Sequence, residues 1–157
     1  MASTFTTTNP ANGDVLKEFP TAADHEIEDA IAASHAAFQT WRTTPIDKRA
    51  EPIRRAADLM EERIDELARL LTLEMGKLTA EARAEVELCA KILRYYADEG
   101  PEHLADEQRT PASGGTGVVK KEPKGPLIGV MPWNFPYYQV ARFAAPNLVL
   151  IAMFTYR

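Results

Sequence analysis

One asparagine, held between two prolines and two large aromatic residues, is the feature of this sequence best suited to chemistry: Pro132-Trp133-Asn134-Phe135-Pro136. Prolines fix φ and remove backbone freedom, so a stiff frame aims the amide of Asn134. A neutral amide N–H can hydrogen-bond an oxygen that becomes negative during a reaction without losing its proton to it. Removing such a donor typically costs about 10²–10³ in rate. The same residue in a strand-to-helix turn can instead cap the helix by satisfying free backbone N–H groups. Residue chemistry alone leaves both readings open. If the turn opens a helix, positions 134, 138 and 142 fall on one face at steps of four, which groups Asn134, Tyr138 and Arg142.

The elements around the turn are those of an α/β sheet. Leu127-Ile128-Gly129-Val130-Met131 is a short, unalternating apolar run, as expected of a strand buried on both faces of a parallel sheet. Residues from Tyr137 to Leu150 read as a helix interrupted by Pro146. A strand whose end turns into a helix is where such sheets place ligands. No G-x-G-x-x-G or P-loop follows the strand, so the turn is not a phosphate cradle.

Upstream, Thr-rich residues 4–20 carry Asn9-Pro10-Ala11-Asn12-Gly13-Asp14, and Asn-Gly is a two-residue hairpin signal, so a short β-arm is expected. A helix from Asp24 to Trp41 follows, with Ile27, Ile31, Phe38 and Trp41 on a core face. The next helix starts at Thr44-Pro45 and carries Ile53, Ala57, Met60, Ile64, Leu67 and Leu71 at steps of four and three. Gly76 caps it. Pro52 inside it predicts a bend or restart near Glu51. A third helix from Thr79 to Gly100 carries Ala82, Val86, Cys89, Leu93 and Tyr96, so the two form a long antiparallel helical hairpin. Gln108–Pro111 and Gly117–Lys121 flank Ser113-Gly114-Gly115-Thr116 as a β-hairpin with a glycine turn.

Bulk composition excludes several functions. The 157 residues are 45% hydrophobic and 26% charged, with a formal charge of -5, so one soluble domain is expected and a nucleic-acid partner is not. The longest apolar stretch, Phe143 to Phe154, contains Pro146 and Asn147 and falls short of the roughly 20 residues a membrane span needs. The N-terminus shows no signal peptide, and a lone cysteine fits a reducing, cytoplasmic compartment. Cys89 lies mid-helix at a core-facing position, where a thiol is inert. His25, His35 and His103 lack ligand spacing, so no metal is expected.

Gly129-Val130-Met131-Pro132-Trp133-Asn134-Phe135-Pro136 resembles the signature of the aldehyde dehydrogenase superfamily. Asn9-Pro10-Ala11-Asn12-Gly13, Leu73-Glu74-Met75-Gly76-Lys77 and Ala84-Glu85-Val86 resemble that family in the same order, so the likeness runs from about residue 8 to 150. The resemblance implies that Asn134 holds a thiohemiacetal oxyanion together with a backbone N–H. It implies that Val130, Met131, Pro132 and Trp133 line the nicotinamide side of an NAD or NADP cleft, and that Phe135, Tyr138 and Arg142 bind substrate. In succinate-semialdehyde dehydrogenases an arginine eight residues after the motif asparagine grips the substrate carboxylate. Arg142 has that spacing, and a guanidinium fork suits a carboxylate; a solvated surface arginine is the other reading.

The implied fold class is α/β: an N-terminal β-arm, a long helical hairpin, a β-hairpin oligomerisation arm at about 107–124, and the incomplete start of a parallel Rossmann-like sheet. Residues 1–150 form the N-terminal part of an NAD(P)-binding domain and 151–157 a divergent tail. The partners implied are a small aldehyde, succinate semialdehyde first among them, and further copies of the chain in a homo-oligomer. The family's cysteine nucleophile and glutamate base have no counterpart here, so a truncated chain, inactive alone, is expected. A complementing fragment and a helical interaction module are the alternatives. Leu148 to Phe154 is expected to be an exposed apolar run.

Overall fold

The computed structural model describes residues 4–150 with their side chains and residues 154–155 by backbone alone. Strands β1 (Thr4–Thr8) and β2 (Val15–Pro20) pair antiparallel. Helices α1 (Asp24–Trp41), α2 (Ile46–Glu62), α3 (Ile64–Met75) and α4 (Thr79–His103) follow. Strands β3 (Glu107–Arg109) and β4 (Gly117–Val119) form a second antiparallel ribbon. Strand β5 (Leu127–Ile128), helix α5 (Pro136–Val149) and strand β6 (Phe154–Thr155) end the chain's described part.

The β-arm forms, but its turn is not the two-residue kind. Thr8 pairs with Val15, so residues 9–14 all lie in the loop. Asn9 organises it: its side chain accepts from the Ala11 N–H at 3.0 Å and its carbonyl from the Gly13 N–H at 2.8 Å. Asn12 and Asp14 exchange two further local bonds. Such side-chain bonds offer the backbone a longer turn than Asn-Gly alone would impose.

Helix α1 has the expected bounds, yet half of its apolar stripe is not core. Phe38 is buried, whereas Ile27 and Ile31 are 42% and 56% exposed. They line a groove of about 530 Å³ against residues 126–131, and among the described residues nothing covers it. Trp41 is half-buried and donates its indole N–H to the Leu148 carbonyl at 2.9 Å, satisfying one of the orphan carbonyls at the end of α5.

The second helix breaks at Arg63 (φ -110°, ψ 22°), while Pro52 sits inside α2 without interrupting it. Pro52 lies early in the helix, where only a short preceding segment must yield to its ring. The break has a cause in the stripe itself. Apolar steps of four and three average 3.5 residues and drift about 20° per heptad around a straight helix. A break at Arg63 lets Ile64, Leu67 and Leu71 face α4 again. Gly76 then ends α3 in the left-handed conformation, φ 69°, with its N–H on the Thr72 carbonyl. A Cβ there would also stand 3.0 Å from Pro10 Cγ, so the β-arm docks against this cap.

Two clusters make the core. Ala50, Ile53 and Ala57 of α2, Cys89, Ala90, Leu93 and Ala97 of α4, and Ala141, Ala145 and Val149 of α5 form the larger one. Ala68 and Leu71 of α3 meet Ala82 and Val86 of α4 in the smaller. The many alanines bring the helix axes close. Helices α4 and α5 approach closely at Gly100, where a Cβ would stand 2.6 Å from Val149 Cγ1. Gly100→Ala is therefore expected to destabilise the chain by about 1–3 kcal/mol despite the better helix propensity of alanine, as read by urea denaturation.

Helix α4 continues past the expected end, through Pro101 to His103, and α5 runs through Pro146. The Leu148–Leu150 part of the expected exposed run is not exposed: Val149 is fully buried and Leu148 and Leu150 pack against the larger cluster. The strand of the motif also differs from expectation. Strand β5 is two residues long, pairs in parallel with β6, and leaves Ile128 81% exposed and Val130 88% exposed. A parallel strand is buried on both faces only when helices cover both, and here an open groove separates residues 126–131 from α1. The remainder of the expected tail, 151–153 and 156–157, lies outside the described residues.

Candidate active site

The turn between β5 and α5 is built from tight local packing. A Cβ on Gly129 would meet Met131 Cε at 2.6 Å and Phe143 Cε1 at 2.9 Å, so a glycine there lets the strand end fold against α5. Trp133 is left 79% exposed and Phe135 45% exposed, and Asn134 between them is also exposed.

Asn134 is not the helix cap. The N-cap of α5 is Phe135, which has no side-chain cap bond, and Pro136 occupies the first turn. The acceptor comes instead from a distant helix. Glu85 of α4, 4% exposed, places Oε1 where it accepts from the Tyr137 N–H at 3.1 Å and the Tyr138 N–H at 3.2 Å. A carboxylate at a helix N-terminus also meets the positive end of the helix dipole. Its other oxygen, Oε2, pairs with the Lys77 ammonium, and the two side chains are 1% and 9% exposed. Lys77 Nζ in turn lies 3.6 Å from the centroid of the Phe135 ring, a cation–π contact out of bulk water.

From Phe135 the contacts continue along the helix. The Phe135 and Tyr138 rings meet edge to face, with centroids 6.2 Å apart and planes at 72°. The Arg142 guanidinium carbon stands 5.9 Å from the Tyr138 centroid. Long helical side chains lean toward the N-terminus, which carries the Arg142 charge back over Tyr138 toward the turn. Arg142 is exposed, and no carboxylate among the described residues pairs with it. It borders a shallow depression with Met131, Gln139, Phe143 and Asn147.

The structure thus brings Phe135, Tyr138 and Arg142 together and sets Asn134 in the turn just ahead of them rather than on their helical face. Val130, Met131, Pro132 and Trp133 form the strand end beside it. Lys77 and Glu85 were missed as parts of the site. The available signal was Glu85 itself: it lies three residues after Ala82 and four before Cys89, a carboxylate on the buried stripe of α4.

Cys89 is fully buried, and burial, then the negative Glu85, pushes its thiol up to about 12. It is no nucleophile near neutrality. A thiol-specific disulfide reagent at pH 8 is expected to leave it unmodified in the folded chain and to react within minutes in denaturant. The shift also sets a pH dependence. The native state keeps a proton that the unfolded chain releases near 9.0, so this contribution to stability is constant below pH 9 and is lost as the pH rises toward 12.

Among the described residues no three His, Cys, Asp or Glu side chains stand together as a metal site, and no helix is long and apolar enough to cross a membrane.

Residues 1–151 match the sequence profile of the aldehyde dehydrogenase family, and the chain belongs to that family. It is 49% identical over 146 residues to the succinate-semialdehyde dehydrogenase (NADP+) of Deinococcus radiodurans, covering 93% of this chain and 30% of that one. With succinate-semialdehyde dehydrogenase (NADP+) 1 of Mycobacterium tuberculosis it shares 44% identity over 145 residues, covering 91% and 32%. Among solved structures, succinic semialdehyde dehydrogenase from Streptococcus pyogenes, in complex with NADP+ as the cofactor, superposes with a TM-score of 0.91 at 33% identity. That match covers 96% of this chain and 33% of the other. The chain spans about a third of the length of these relatives. The fold is accordingly that of the N-terminal part of an aldehyde dehydrogenase.

Proposed function

We propose that these residues supply the oxyanion and carboxylate side of an NAD(P)-dependent aldehyde dehydrogenase site whose substrate is an acidic semialdehyde, succinate semialdehyde foremost. The observation that carries this reading is the run from Asn134 through Phe135 and Tyr138 to an Arg142 that pairs with no carboxylate among the described residues. It offers a neutral donor at one end, an apolar wall, and a cation at the other. That order suits a short chain with an aldehyde and a carboxylate at its two ends. The names of the relatives support the same substrate class.

In this reading a thiolate from outside these residues attacks the aldehyde carbon, and the carbonyl oxygen takes up the negative charge. The Asn134 side-chain N–H donates to that oxygen, and it costs no reorganisation if already aimed. Phe135 and Tyr138 exclude water from the methylenes. Arg142 holds the carboxylate through its fork of donors. The exposed apolar surface of Val130 and Trp133, with Met131 and Pro132, fits the flat nicotinamide side of the cofactor at the carboxyl end of a sheet strand. NAD or NADP, when bound there, supplies the two-electron acceptor. The 107–124 hairpin, with Val118 and Val119 about half exposed, is assigned to homo-oligomer contacts. Residues 1–150 are assigned to the NAD(P)-binding domain and the cytoplasm is the proposed compartment. The family match over 1–151 favours this reading over a helical interaction module.

Substrate choice tests this reading. In a chimera of residues 1–150 with the C-terminal part of the Deinococcus radiodurans relative, Arg142→Met is expected to lower kcat/KM for succinate semialdehyde at least about 10-fold. The value for butanal, which lacks the carboxylate, should hold. That selectivity is the worth of one charge-assisted hydrogen bond of roughly 1.5–3 kcal/mol. Equal losses on both aldehydes would remove Arg142 from substrate recognition.

A further inference from the structure

Helix α5 has no capping side chain of its own, and the residue proposed as oxyanion donor sits immediately before its N-cap. What fixes that end of the helix is a buried ion pair from α4 and the α3–α4 turn. We infer that Lys77 and Glu85 are the positioning pair of the Asn134 turn: Glu85 fixes the backbone on its helical side, and Lys77 fixes the Phe135 ring beside it.

The geometry carries this in three parts. Both free N–H groups that follow Pro136 end on one carboxylate oxygen, at 3.1 and 3.2 Å, so the first turn of α5 cannot rotate without losing two charge-assisted bonds. The second oxygen is held by Lys77, so Glu85 itself has one orientation. Lys77, 3.6 Å from the Phe135 centroid, cannot leave without exposing a buried carboxylate. Asn134 is thereby placed between Pro132 on one side and a clamped Phe135 on the other. The Lys48–Glu51 pair differs: its side chains are 65% and 58% exposed, and it joins two residues of one helix.

The catalytic value of this arrangement rests on the oxyanion role proposed above, but its test reads no turnover, so the two ideas fail separately. The 157-residue chain is labelled with ¹⁵N, and amide exchange at Tyr137 and Tyr138 is followed with the side-chain amide signal of Asn134. Glu85→Ala is expected to speed exchange at Tyr137 and Tyr138 by at least about tenfold beyond the acceleration that the loss of global stability imposes on Ala144 and Ala145 in the same helix. The Asn134 side-chain signal should shift or broaden in the same variant. Glu85→Gln, which keeps a carbonyl oxygen in place, should restore most of the protection; a purely space-filling role would not distinguish it from other substitutions of like volume such as Glu85→Met. Lys77→Met serves where Glu85→Ala does not fold, and it should shift the Phe135 ring and Asn134 amide signals together. Unchanged exchange at Tyr137 and Tyr138 in folded Glu85→Ala, or an Asn134 signal untouched by either substitution, would overturn the inference.

Discussion

Asn134→Ala, made in a chimera that joins residues 1–150 to the C-terminal part of the Deinococcus radiodurans relative, is expected to lower kcat about 10²–10³-fold with little change in KM. The split follows from the chemistry. A donor that meets charge only after attack stabilises the transition state and does little for the bound aldehyde. The location of Asn134 makes the result readable. Its side chain is exposed and the N-cap of α5 is Phe135, so the substitution should cost no more than about 0.5 kcal/mol of stability. Initial rates and a thermal melt on the same sample separate the two roles. A helix cap would show the opposite pattern, a lower melting temperature with nearly normal turnover.

Glu85→Ala is expected to cause the largest loss of stability of any single substitution considered for this chain, about 3–5 kcal/mol. That is the usual cost of removing one partner of a buried pair and stranding the other charge. Two amide N–H groups at the start of α5 also lose their acceptor. For a chain of 157 residues this lowers the melting temperature by roughly 6–20 °C. Lys77→Met combined with Glu85→Ala should recover part of it, because removing both charges leaves neither one uncompensated. By contrast Glu51→Ala, at the exposed Lys48–Glu51 pair, should cost no more than about 1 kcal/mol. Melting of Glu85→Ala together with the unsubstituted chain would mean that the pair contributes nothing to holding α5.

Local signals carried much of this architecture. The bounds of α1, the left-handed Gly76 and the four buried positions Ala82, Val86, Cys89 and Leu93 of α4 each follow from residues a few positions apart. The break falls at Arg63 and not near Glu51, because the slow drift of the apolar stripe decides it, and that drift is a weaker local signal than a proline. The motif strand is less buried than its apolar run implies because such a run reports what could cover it, and among the described residues α1 leaves an open groove beside it. Around the turn, the approach of Arg142 to Tyr138 follows from their helical spacing, whereas Asn134, placed on the same face by that spacing, lies before the helix begins. Lys77 and Glu85 were not legible in the sequence, because their partner, the first turn of α5, lies more than fifty residues further along the chain. No periodicity within α4 reveals that contact.

We propose that Asn134 supplies the oxyanion side of the site and that the nucleophile comes from outside these residues, since Cys89 is fully buried. Nicotinamide absorbance with NADP and succinate semialdehyde tests it most directly, run on the purified chain alone and on the chimera side by side. The chain alone should give a flat trace, since its buried Cys89 is pushed up to about 12, and the chimera should give a rising one. Turnover by the chain alone, or a flat trace from a chimera with an intact fold, would contradict the account.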